Sequence, residues 1–193
     1  MLLGLHRAHI GRRATAVGLL MLLSACAPGA DQPLLPQYVS NGYRLGGGDQ
    51  VRIITFGEDQ LTGEFTVDDQ GNIVLPLVGS IHAAGDTPEQ LGELIAARLR
   101  SGNFLSRPSV AVQVIAYRPI FVLGEVNKPG MYPYQPGMTM LTAVAVAGGF
   151  TYRAIEDYAT DVRTANGRAI QGKITPESFL APGDVIKIYE RHF

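Results

Sequence analysis

Few side chains in this sequence could make or break a bond. The single cysteine is Cys26, and of four histidines only His82 and His192 lie beyond the basic amino-terminal stretch. Neither stands in an H-E-x-x-H or other metal-ligand spacing. No G-x-S-x-G elbow offers a nucleophilic serine. Two acidic pairs remain, Glu58-Asp59 and Asp68-Asp69. Such pairs could exchange a proton with a substrate or hold Ca²⁺. Their place at strand ends beside turn residues favours solvated turn carboxylates instead. Gly46-Gly47-Gly48-Asp49 invites comparison with a phosphate cradle, but it lacks both the G-x-G-x-x-G spacing and a G-K-[ST] ending. A tight turn releasing a strand is the reading that follows. Tyr132, Tyr134, Tyr152 and Tyr158 fall close together in the second half. Exposed tyrosine rings could contact a glycan or another ligand, although half-buried core or interface positions are the commoner outcome for tyrosine. The expectation is a protein that is not an enzyme and carries no cofactor or metal.

The cysteine has a different chemistry in prospect. His6 to Arg13 is basic, and Ala14 to Leu23 is a mostly apolar run of ten residues. Spanning a bilayer takes about 20. Leu23-Ser24-Ala25-Cys26 then matches the lipobox read by the lipoprotein signal peptidase. Residues 1–25 are expected to be a signal peptide and Cys26 a lipidation site, because a lone cysteine has no internal disulfide partner. More than one acyl chain makes such an anchor stable. Residues 26–42 carry Pro28, Pro33 and Pro36 without periodicity and read as a lipidated tether. Ala27, in place of aspartate, implies outer-membrane sorting by resemblance to enterobacterial lipoproteins.

Charge excludes one class of partner. The net charge is −1, and Arg7, Arg12 and Arg13 all precede Cys26, so processing leaves about −4. That body has no electrostatic footprint for nucleic acid. Glycine at 23 and proline at 12 residues, with 17% charged residues, favour a turn-rich β chain over a helical bundle.

The elements that must position these residues divide in two. In the first half, Val51 to Phe56 reads as a strand, and Phe65 to Val67 leads into a polar turn at Asp69-Gln70-Gly71-Asn72. The apolar strand after it carries Pro76, which argues for an edge or a bulge. Thr87-Pro88-Glu89-Gln90 is a capping box, Leu91, Leu94, Ile95 and Leu99 share a helical face, and Gly102 closes the helix. Pro108 to Tyr117 alternates with apolar residues on both faces, which predicts a cover on each side, either another protomer or a second layer of the same chain. In the second half come a strand at Ile120 to Val126, a turn at Asn127 to Gly130, and a short helix at Thr139 to Ala147 stopped by Gly148-Gly149. A hairpin at Asn166-Gly167 and a last strand near Val185 to Tyr189 complete it. A Leu-x-x-Gly-Asp device occurs twice, at Leu45 to Asp49 and Leu180 to Asp184.

Tyr43 to Asp49 and the ordered run from Val67 to the Thr87 helix resemble the polysaccharide-export domain of Wza-type outer-membrane polysaccharide export lipoproteins. The second half resembles a soluble-ligand-binding β-grasp (SLBB) domain through Gly124-Glu125-Val126, Pro129 to Tyr132, Leu141 to Gly149 and Pro182 to Ile186. The implied fold class is α+β, with two small β-rich domains, 43–117 (polysaccharide-export) and 118–193 (β-grasp). The resemblance further implies a homo-oligomeric ring at the periplasmic face of the outer membrane, passing capsular or extracellular polysaccharide, with an inner-membrane polysaccharide co-polymerase as partner. The longest family members add further β-grasp domains and a membrane-crossing carboxy-terminal helix. The last eight residues here are too short to span hydrocarbon, so a separate outer-membrane β-barrel is the expected outer pore. The alternative is a monomeric periplasmic lipoprotein that binds a glycan or other small ligand in its β-grasp domain. Mass in detergent separates the two.

Overall fold

The computed structural model describes residues 27–38, 42–165 and 167–191, arranged as two β-rich bodies, each with its own apolar core. In the first, β1 (Gln50–Thr55) is flanked by β2 (Gly63–Thr66) and β5 (Val110–Ala116) in an antiparallel sheet of order β2-β1-β5. A separate antiparallel hairpin joins β3 (Asn72–Leu75) to β4 (Gly79–His82). Helix α1 (Pro88–Ser101) starts at Thr87, whose hydroxyl accepts from the Gln90 amide while the Gln90 side chain accepts from the Thr87 amide, as the capping pattern predicts. Leu91, Ile95 and Leu99 are fully buried against Val51, Ile53, Ile73 and Leu75. Gly92 lets the helix lie close on β5: a β-carbon there would stand 3.2 Å from the Val110 carbonyl oxygen.

Three details of this body differ from the sequence reading. The turn at Asp68–Gly71 connects β2 to β3, but the two strands lie in different sheets, because β2 is taken by β1 and β3 by β4. Pro76 is not inside a strand; it opens the turn between β3 and β4, where its missing N–H costs nothing and Leu77 adopts φ 65°. Gly102 does cap α1, yet in right-handed conformation, and the left-handed residue is the next one, Asn103.

The second body is a five-stranded mixed sheet of order β7-β6-β10-β8-β9. Its strands are β6 (Ile120–Gly124), β7 (Gly130–Tyr132), β8 (Ala159–Ala165), β9 (Arg168–Ile174) and β10 (Val185–Ile188), with β10 parallel to β6 and every other pairing antiparallel. Helix α2 (Met140–Val146) is capped by Thr139 and buries Met140, Ala143 and Val144 with Ile120, Val122, Ile186 and Ile188. This is the α+β, β-grasp arrangement expected. The β8–β9 hairpin turns at Gly167 as anticipated, while its other predicted turn residue, Asn166, lies outside the described residues.

The segment read as a tether is packed along its described part. Leu35 is buried in the second core, the Leu35 amide donates to the Lys173 carbonyl at 2.9 Å, and the Lys173 amide donates to the Pro33 carbonyl at 2.8 Å. Leu34 thus bridges β9 in parallel, as a short extra strand. Proline-rich composition suggested a free linker; burial of Leu35, with Leu34 left 67% exposed, and the two backbone bonds to Lys173 tie it to β9.

Candidate functional site

The repeated Leu-x-x-Gly-Asp device folds into the same turn twice, and the two copies frame the seam between the domains. In each, the aspartate amide donates to the carbonyl three residues back (Asp49 to Gly46 and Asp184 to Ala181, both 3.1 Å). The preceding glycine takes φ +92° at Gly48 and +90° at Gly183, the left-handed position that a turn of this kind reserves for glycine. The carboxylate then folds back to accept the amide that opened the turn, Gly46 at 2.8 Å and Ala181 at 2.7 Å. Both aspartates are completely buried.

Each buried aspartate faces an arginine. Arg163 donates from Nε to both Asp184 carboxylate oxygens at 3.1 Å and from Nη2 to Oδ2 at 2.7 Å. Its remaining donors reach Asp161 Oδ2 at 3.0 Å and the carbonyls of Phe179 and Pro36. Asp161 and Arg163 sit two apart on β8, hence on one face, and both point inward. Burial, and then the Asp184 charge beside it, push the Asp161 carboxyl up to about 8, against the pull of Arg163. At the other turn, Asp49 accepts the Tyr43 hydroxyl at 2.5 Å and the Arg118 amide at 3.0 Å, while Arg118 Nε stays 3.7 Å away. Burial, then this bond, raise the Tyr43 pKa.

Tyr117 completes the seam. Its ring meets Tyr43 edge-on at 4.7 Å and Tyr134 at 5.7 Å, so an aromatic chain links the two cores. Beside it opens a cleft of about 720 Å³, walled by residues of both domains and of the segment before Tyr43.

The residues singled out from sequence are not gathered at one place. Tyr134 is 8% exposed and belongs to the second core, where burial pushes its hydroxyl up to about 12. Tyr132 is half-buried on edge strand β7 and its hydroxyl donates to the Lys128 carbonyl. Tyr158 is half-buried and donates to the Pro28 carbonyl at 3.2 Å. Tyr152 is 83% exposed and free to meet solvent. Cys26 and His192 lie outside the described residues, and His82 is an exposed hairpin residue bonded to Asn72 at 3.1 Å. Asp68 caps its own turn, accepting the Gln70 and Asn72 amides at 2.9 and 2.7 Å. Among the described residues no cluster of three His, Cys, Asp or Glu side chains could hold a metal ion, and no helix is long and apolar enough to cross a membrane.

Sequence reasoning noticed the repeated turns but not their arginines. The signal for Arg163 was available, as an Asp and an Arg two apart inside a strand otherwise fit for burial. Arg118 carried none, because its partner Asp49 is 69 residues away in the chain.

Comparison with known proteins agrees with the two-body division. The family described as polysaccharide biosynthesis/export protein matches residues 37–115, and the SLBB domain matches residues 119–170. The exopolysaccharide production protein ExoF of Rhizobium meliloti (strain 1021) is 36% identical over 119 residues, covering 55% of this chain and 28% of that protein. The polysialic acid transport protein KpsD of Escherichia coli is 27% identical over 143 residues, covering 73% of this chain and 25% of its own length. The chain therefore spans about a quarter of these relatives. With matches to a polysaccharide-export domain and then to an SLBB domain on one α+β frame, the chain resembles the Wza-type polysaccharide export proteins in both of its halves.

Proposed function

We propose that this chain is a non-enzymatic lipoprotein, anchored through Cys26 at the periplasmic face of the outer membrane. Copies of it associate into a closed ring through which capsular or extracellular polysaccharide leaves the cell. An inner-membrane polysaccharide co-polymerase and a separate outer-membrane β-barrel are the partners this reading asks for. Its task is geometric, and in keeping with that Asp49 and Asp68 are committed to their own turns and Arg163 and Asp184 to a buried ion pair.

One observation carries the self-association. The outer face of the β2-β1-β5 sheet presents Ile54, 38% exposed, with Phe56 at 84% beyond it at one end, and Ile115, also 38% exposed, at the other, with the Arg52–Glu64 ion pair and Gln113 between. The strand pattern asked for a cover on both faces of β5. Helix α1 supplies the inner one, and no described element lies over the outer one. A second copy is the cover a ring would bring, repeated head to tail until it closes. Of the four tyrosines proposed for glycan contact, the 83% exposure of Tyr152 favours that residue.

The test is the mass of the detergent-solubilised protein, with acylation read by mass spectrometry of its amino-terminal peptide. A large closed oligomer carrying fatty acid on Cys26 is expected. A single copy at every concentration would favour the monomeric ligand-binding lipoprotein.

A further inference from the structure

The cleft between the domains has an unusual wall for an acidic chain. Arg44, Arg118 and Arg163 line it, and among the described residues no aspartate or glutamate does. The balancing carboxylates of Asp49, Asp161 and Asp184 are all buried behind the wall. A solute entering the cleft therefore meets guanidinium before carboxylate.

The three arginines differ in what remains for a ligand. Arg163 is almost wholly buried, paired with Asp184, and its donors are engaged by Asp184, Asp161 and two carbonyls, so it offers a ligand nothing. Arg118 is different: its side chain makes no hydrogen bond among the described residues, and its Nε is buried at 3.7 Å from Asp49, beyond hydrogen-bonding reach. Its guanidinium occupies the space that the missing side chain of Gly46 leaves: a β-carbon there would overlap Arg118 Nη1. Arg44 gives Nη1 to the Gly85 carbonyl at 2.6 Å and is otherwise exposed. Beside them, the Tyr38 ring is half-buried and packs over Arg163 at 5.6 Å.

A planar guanidinium with open donors, on the wall of a cleft that a second one also lines, suits two-pronged recognition of a carboxylate. The volume of about 720 Å³ lies within the range of small-ligand pockets and holds a sugar residue with its neighbour. The geometry points to this cleft as a binding site for carboxylate-bearing sugar units of an acidic polysaccharide, with Arg118 and Arg44 grasping the carboxylate and Tyr38 flanking the ring. The inference rests on the export reading and sharpens it, by giving the cargo a chemical class. With burial keeping Asp161 protonated, the positive charge around the cleft is less cancelled still.

The test uses the full chain purified in detergent and titrated calorimetrically with a uronic-acid trisaccharide, its methyl ester, and acetate. Binding of the free acid that weakens with added salt, with neither ester nor acetate binding comparably, is expected. Arg118→Lys keeps charge and loses the fork, and Arg44→Ala removes an exposed side chain; each should weaken binding at least tenfold, about 1.4 kcal/mol. Arg98→Ala, an exposed change on α1 outside the cleft, should bind as wild type. Equal binding of acid and ester, equal binding of acetate, no binding of the acid, or wild-type affinity in both folded arginine variants would overturn the site. Failures of the two readings are separable. If deleting the chain stops polymer export yet the protein binds no uronate, the site falls and export stands; uronate binding with export intact after deletion is the reverse.

Discussion

Asp49 and Asp184 occupy the same position in two copies of one turn, and only Asp184 is closed by its arginine. The Arg163 fork grips Asp184 with donors at 2.7 and 3.1 Å, whereas Arg118 Nε stops 3.7 Å short of Asp49. Both copies border the seam, but the tight one is closed by an arginine of its own domain's sheet and the loose one faces Arg118 at the domain junction. Rigidity is thus placed where a single core must hold together, and reserve donors where two cores meet.

Breaking the tight copy should be costly. Asp184→Ala strips a buried cation of its main partner and removes the cap on the Ala181 amide, so a loss of about 3–5 kcal/mol is expected. Asp49→Ala leaves a partly exposed arginine and should lose less, about 1–3 kcal/mol. Urea unfolding of both variants measures the difference, and equal losses would contradict the contrast between the turns.

Asp161 gives the second domain a pH dependence of definite sign. Its folded pKa is raised, so the folded state holds a proton that the unfolded state releases. The stability this represents is fully present below the ordinary carboxylate range and is lost as pH rises through about 8. Melting temperature should therefore fall between about pH 5 and about pH 9. Asp161→Asn, which mimics the protonated form, should flatten that slope. A variant with the wild-type slope would assign the dependence to another group.

Thr87→Ala removes a side-chain cap whose two reciprocal bonds are both formed, and should cost about 1 kcal/mol. Chemical denaturation of the first domain reads it directly. Thr87→Ser, which keeps the hydroxyl, should recover most of the loss.

The tyrosines should separate by burial. Tyr134→Ala opens a cavity in the second core and should destabilise by about 3 kcal/mol. Tyr152→Ala should leave the melting temperature unchanged and lower polymer export, scored as secreted polysaccharide per cell. Unaltered export by the folded Tyr152→Ala protein would remove this residue from glycan contact.

Local chemistry explains what could be read in advance. The Thr87 and Thr139 caps, the apolar face of α1 and the glycine turns are written within a few residues, so sequence predicts them. Strand partners are not local: nothing near Phe65 says that it pairs with Val51 and not across its own turn. Nor does Pro76 announce whether it ends a strand or interrupts one; the left-handed Leu77 beside it decides that. The arginines of the seam escaped notice for the same reason, since burial and opposition to a distant carboxylate appear only in three dimensions.

The segment bound to β9 has a mechanical meaning. Leu34 runs parallel to the strand it joins, and the bonds at Pro33 and Leu35 to Lys173 lie across the direction of the chain. Tension applied at residue 27 loads those bonds in shear, together, before any of it reaches Tyr43. A molecule held by its leading end would thus take strain through the sheet of its second domain before the first domain feels it.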